Sequence, residues 1–348
     1  MCCCDFLEEL FVVVLNYVDF FTDVFVTLEY GCFIENELST SCDGSEGCEP
    51  HWWWFSMALG ILIVSTVVSS FYYSTSPGLC CLSLFQLSHL RDLYLACEKP
   101  DPEEIQRKRI RDMVTKMLES APQLYLQSYV LFAVGQHRNR QKIVSVVISS
   151  LALSYGVMRF LTLDQHATRL QKATLFLFLT TDQLLRASGY ALALSEHARQ
   201  VGVPLILAFA LLSWLLRLKA DGHGALAALF SGLVAGHVVP VDSLQARLTP
   251  EAVLQKGFRT TGRLHGSELW RTVYVYYSLL PRYVEVIIYG LLGLTMARRR
   301  CGFVPREEVN VIIVLLGLNV SILVFMLCVG FERKAKVVTV PVVVGAHR

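Results

Sequence analysis

Charge is scarce in this chain: 17% of its 348 residues are Asp, Glu, Lys or Arg, where soluble domains carry about 25%. The charge nearly cancels, to a net +2, which argues neither for nor against a charged partner. The sequence has no G-x-S-x-G, no phosphate-binding P-loop and no His/Asp/Glu grouping at ligand spacing. Those absences speak against an enzyme and leave no cofactor to assign. CxxC pairs and Cys/His clusters are missing despite 11 cysteines, so no metal site is expected. There is no low-complexity stretch and no long soluble insert. The first apolar run opens with Glu8 and Glu9 rather than a basic stretch, and no A-x-A site follows it. It reads as a retained helix, not a cleaved signal peptide.

Apolar residues are abundant, at 54% of the chain, with a mean hydropathy of +0.48. They fall in blocks of roughly 17–25 residues, and about 20 helical residues cross the hydrocarbon of a bilayer. This pattern excludes a soluble enzyme, a nucleic-acid-binding domain and a disordered chain. The blocks are Phe6–Leu28, Trp52–Tyr73, Leu79–Ala96, Ile110–Ala133, Ile143–Leu163, Ala173–Leu194, Val201–Leu218, Ala225–Val239, Leu269–Ala297 and Val309–Phe331. They are continuous rather than alternating, so an all-α polytopic membrane protein is expected and a β-barrel is not. Leu79–Ala96 carries Arg91 and Asp92, while Ala225–Val239 is short, holds Gly232 and Gly236, and runs into Pro240. Both read as re-entrant or interfacial helices, leaving about eight crossings and both termini on one side.

Lys and Arg favour cytoplasmic loops. Residues 29–50 contain neither and hold six acids, Glu29 to Glu49, so this loop reads as outside. The spacer 98–111, with Lys99, Arg107, Lys108, Arg109 and Arg111, reads as cytosolic. So do residues 242–268 and the tail with Arg333, Lys334 and Lys336, which makes both termini cytosolic. Arg138, Arg140 and Lys142 fall outside on this count, against the rule, as do Arg298, Arg299 and Arg300. Cys32, Cys42 and Cys48 share the outer acidic loop, where one disulfide can persist and one thiol is left over. Cys2, Cys3 and Cys4 precede the first helix and are open to palmitoylation.

Polar residues within the apolar blocks carry the functional argument, because Asp or Arg at a helix centre costs about 2.5–3.5 kcal/mol on insertion scales. Asp19 and Asp23 lie four residues apart and share a helix face. Asp182 and Arg186 have the same spacing and can pair. Glu119, Gln123 and Gln127 lie at successive turns, and Pro122 is expected to kink their helix. Arg159 lies near the end of its block, where snorkelling would suffice. Glu285 sits near Pro281 and Arg282. Trp52, Trp53 and Trp54 read as an interface belt. Ser65 to Ser70 reads as small-residue helix packing. These residues form either buried ion pairs that fix helix register or a polar track. A track could pass ions, a solute or a zwitterionic lipid head group.

The stretch Met117-Leu-Glu-Ser-Ala-Pro-Gln-Leu-Tyr-Leu-Gln127 resembles the L-E-[ST]-A-P-Q-L-x-L-Q signature of the XK-related family of membrane proteins. The Asp19-x-x-x-Asp23 pair, the Gln-Leu-x-x-Leu-Arg-Asp run within 82–95, Ser154-Tyr155 and the Asp182–Arg186 helix follow in the same order as in that family. The resemblance covers residues 6–220. It implies eight crossings plus two partial ones, in two similar halves. Here those halves are 6–163, with re-entrant segment 79–96, and 173–331, with re-entrant segment 225–239, followed by a tail at 332–348. It also implies phospholipid scrambling at the plasma membrane, which exposes phosphatidylserine in dying cells. Head groups would pass charged residues of the bundle, with Asp19, Asp23, Glu119 and Arg186 foremost. Partners implied are membrane phospholipids and either a single-pass immunoglobulin-type protein or a bulk lipid-transfer protein; a homodimer is a further expectation. Thr115 stands where many members carry a second acid, and no D-x-x-D caspase motif follows Phe331. The alternatives are a non-scrambling scaffold that docks a lipid-transfer protein and a proton- or cation-coupled solute transporter.

Overall fold

The computed structural model describes residues 3–33, 51–72, 89–90, 93–94, 108, 112–113, 115–132, 140–161, 169–194, 198, 200–208, 211, 283–292 and 312–322. Among the described residues all regular structure is helical. The long helices are α1 (Cys3–Tyr30), α2 (Trp52–Tyr72), α3 (Ser120–Phe132), α4 (Arg140–Leu161) and α5 (Arg169–Ala193). Two short apolar helices follow, Tyr283–Leu292 and Ile312–Ile322. Three stretches are long and apolar enough to cross a membrane: Leu7–Tyr30, Trp52–Ser70 and Arg140–Arg159. The segment 225–239 lies outside the described residues, as does most of 79–96.

The helices are inverted relative to those of a soluble protein. On α1 the exposed side chains are Leu7, Phe11, Val14, Val18, Phe21 and Phe25, stepping by threes and fours along one stripe. The opposite stripe is buried and holds Val12, Asn16, Asp19, Asp23 and Thr27. Lipid is as apolar as Leu, so nothing drives Phe or Val inward, whereas every polar group must find a partner inside. α2 follows the same logic. Ser65, Ser69 and Ser70 are buried while Ile63, Val64 and Val67 face out. The small serine hydroxyls bond locally or across: Ser65 to the Leu62 carbonyl at 3.0 Å, and Ser69 to Thr115 at 3.0 Å.

α1 ends in a left-handed cap. Phe33 N–H donates to the Leu28 carbonyl and Cys32 N–H to that of Glu29, both at 3.0 Å, which is the paired bond pattern of a Schellman motif. The left-handed residue is Cys32, with φ 56°, at a site that usually takes glycine. Cys32 is also disulfide-bonded.

α3 enters through a break. Residues 115–118 are helical, Glu119 is a turn, and the helix resumes at Ser120. Pro122 has no N–H to offer the Leu118 carbonyl and its ring crowds that group. The chain still bonds across the break, Glu119 N to Thr115 O at 2.9 Å and Gln123 N to Glu119 O at 3.2 Å. The helix is thus interrupted at Glu119, three residues before the proline.

α3, α4 and α5 enclose the main apolar core, which includes Leu124, Leu153, Val157 and Leu179. Val26, Ala58, Leu126 and Val130 join α1, α2 and α3. Leu185, Leu192, Val286 and Ile312 fasten the two short helices to α5. Ion pairs mark the two ends of the bundle. At one end Lys142 bridges Glu29 at 2.9 Å. At the other, Arg159 bridges Glu9, lies 3.6 Å from Glu8 and 3.5 Å from Asp112, while Lys108 bridges Glu9 at 2.7 Å. α1 and α4 are thus antiparallel.

Candidate functional site

The polar column lies where α1, α3 and α4 meet. Asp19 and Asp23 are both wholly buried. Asp19 Oδ2 accepts from Lys116 Nζ at 2.9 Å and Ser120 Oγ at 2.6 Å, and its Oδ1 accepts from Ser149 Oγ at 2.8 Å. Asp23 Oδ1 accepts from Gln127 Nε2 at 2.8 Å, Ser145 Oγ at 3.1 Å and Ser149 Oγ at 3.3 Å. Asp23 Oδ2 is buried with no hydrogen-bond partner among the described residues. Glu119 is buried alongside, within electrostatic reach of Lys116 and Asp19. Three carboxyl groups therefore share one lysine.

Local sequence explains the convergence. Asp19 and Asp23 project from one face of α1, and Ser145 and Ser149 from one face of α4, each pair one turn apart. Lys116, Ser120, Gln123 and Gln127 supply the α3 side. Gln123 Nε2 donates to the Ala58 carbonyl of α2 at 3.1 Å, so that glutamine ties α2 to the column. Gln123 Oε1, Gln127 Oε1, Ser128 Oγ and Ser154 Oγ are further buried polar atoms without a partner among the described residues. A recess with room for about one water lies below the column, lined by Asn16, Asp112, Lys116, Tyr155 and Arg159.

A second polar cluster sits on the far side of α3. Arg186 is almost fully buried, 3.8 Å from Glu285 Oε2. Tyr190 and Tyr289 hydroxyls donate to Glu285 Oε1 at 2.5 and 3.1 Å. Asp182, also buried, acts on Arg186 electrostatically, while the ion pair of Arg186 runs to Glu285. Asn319 links Ile312–Ile322 to the Phe178 carbonyl and Thr181 Oγ1 of α5, at 3.1 and 2.8 Å.

Arg159 corrects its expected role. It does not snorkel outward: it is 3% exposed and held by Glu8, Glu9 and Asp112. Acids on α1 and beside α3 give the guanidinium a partner inside, so it has no reason to reach for solvent. Trp52 and Trp53 are exposed, as a belt requires, whereas Trp54 is half-buried and packs on Tyr129 at 5.2 Å. Their helix start lies beside the end of α1, where His51 N–H donates to the Tyr30 carbonyl at 2.9 Å.

Sequence reading missed Lys116, Ser120, Ser145, Ser149 and Tyr190. Lys116 carried a signal, being a cation inside an apolar block one turn before Glu119. Ser120 lies inside the quoted Met117–Gln127 stretch, whereas Ser145 and Ser149 carried no signal, since serine is ordinary in membrane helices. Among the described residues no group of His, Cys, Asp and Glu could hold a metal ion. No family model matches this chain, and no curated protein or solved structure matches it either.

Proposed function

We propose that this chain is a phospholipid scramblase of the XK-related kind, a multi-pass plasma-membrane protein of about eight crossings with both termini cytosolic. Lipid head groups move along intramembrane polar residues, Asp19, Asp23, Glu119 and the Arg186 cluster, and phosphatidylserine reaches the cell surface. The observation that carries the reading is the buried acid column with spare acceptors, above all Asp23 Oδ2. A zwitterionic head group brings the cation that such acceptors lack and the phosphate that Lys116 can meet. The resemblance at Met117–Gln127 points the same way. Phospholipids are the substrate, and the partner is a single-pass protein or a lipid-transfer protein.

The test is scrambling in proteoliposomes holding only the purified chain, read by dithionite quenching of fluorescent phospholipid. Asp23→Asn and Glu119→Gln should slow it at least tenfold with folding intact. Equal rates in wild type and both variants would overturn the reading.

One observation favours a second reading. Asp19 is saturated by Lys116, Ser120 and Ser149, as a structural hub would be. A scaffold that docks a lipid-transfer protein without scrambling would need such a hub and no path. It would show no scrambling in any condition and would retain its partner when Asp23 is neutralised.

A further inference from the structure

A groove of about 330 Å³ opens at the surface between α1 and α4, at the small end of the range for ligand sites. Its wall is apolar: Phe21, Phe25 and Val26 from α1 and Val144 from α4. Phe21, Phe25 and Val144 are half or more exposed. Arg140 and Gln141 close one end, at the first turn of α4.

The cation at that mouth is available. Arg140 is exposed and makes no hydrogen bond or ion pair among the described residues. Its neighbour Lys142 is spent on Glu29 at 2.9 Å and lies over the Tyr30 ring at 5.1 Å. That pairing also neutralises the acid that would otherwise repel an anion. The amino end of α4 adds its own partial positive charge. Depth fits as well. Phe25 and Phe21 lie about one and a half and two and a half turns along α1 from Tyr30, which is acyl-chain depth below a head group held at the helix ends.

We infer that this groove binds one phospholipid, with its phosphate on Arg140 and one acyl chain along Phe21, Phe25 and Val144. The site is separate from the buried column. The inference needs the bilayer setting but not scrambling, and its test reads no lipid movement.

The test is native mass spectrometry of the full chain in detergent, with added phosphatidylglycerol or diacylglycerol of identical chains. Wild type should retain one phosphatidylglycerol and little diacylglycerol. Arg140→Ala should weaken retention about tenfold, the loss of one charge-assisted hydrogen bond, and Arg140→Lys should keep most of it. Val144→Trp, which fills the groove, should weaken it similarly, while Val64→Trp on the exposed face of α2 should not. Equal retention of the two lipids, or loss in Val144→Trp without loss in Arg140→Ala, overturns the phosphate assignment. Undiminished retention in Val144→Trp overturns the site.

Discussion

Asp19 and Lys116 are two opposite charges buried with almost no exposure, 2.9 Å apart, on different helices. Removing one partner strands the other, which costs roughly 3–5 kcal/mol, whereas replacing both with apolar groups is often close to neutral. Lys116→Met and Asp19→Ala should each lower thermal stability in detergent sharply, and the double variant should recover most of the loss. A double variant no better than its worse parent would show that the pair is not coupled. Asp23 differs, because its described hydrogen bonds come from neutral donors. Asn can accept the same bonds through its carbonyl oxygen, so Asp23→Asn should cost little stability, within about 1 kcal/mol, on the same thermal scan. At this scale the sequence was informative only about one side of each contact. Asp19, Asp23 and Arg186 stand out because charge is conspicuous in an apolar run. Ser145, Ser149 and Tyr190 do not, since what makes them special is the helix they happen to face.

The path of a helix depends on its backbone neighbours as much as on its own composition, and two glycines separate the two effects. A Cβ at Gly156 of α4 would meet the Lys116 side chain at 3.5 Å, an ordinary contact. Gly156→Ala should therefore be tolerated and could gain up to about 1 kcal/mol of helix propensity. A Cβ at Gly202 would overlap the Ala193 carbonyl oxygen and lie 2.7 Å from its carbon. That oxygen belongs to the end of α5 and cannot swing away, so Gly202→Ala should destabilise by several times the gain at Gly156. Thermal unfolding of the two variants side by side checks both signs. Hydropathy located α1, α2, α4 and α5 to within a few residues, because lipid-facing stripes of Phe, Val and Leu must run the helix length. The break at Glu119 was legible from Pro122, although its placement one turn earlier follows from the Leu118 carbonyl, which no composition measure sees.

For the whole molecule, the open conflict is sidedness, since Arg138, Arg140 and Lys142 sit on the face that the loop count puts outside. The ion pairs soften that conflict. Lys142 is bound to Glu29, so its charge is cancelled within the bundle and carries little orienting force. The opposite end gathers Lys108 and Arg159 around Glu8 and Glu9, and Lys108 belongs by sequence to the basic spacer 98–111. Cys32 is disulfide-bonded at the Glu29 end, and disulfides persist on the oxidising side of a cell membrane. With the orientation proposed above, α1 would run from inside to outside, with the Lys142–Glu29 pair and the Cys32 disulfide at its outer end. The charge rule gives the same direction from the acidic 29–50 loop but counts Lys142 against it, because it ignores that residue's partner across the bundle. In intact cells, an impermeant reductant followed by an impermeant maleimide should label Cys32, and an epitope fused before Met1 should stay hidden from antibody until the cells are permeabilised. An exposed epitope together with an unlabelled Cys32 would invert α1 and every crossing after it. It would also place the mouth of the Arg140 groove in the inner leaflet.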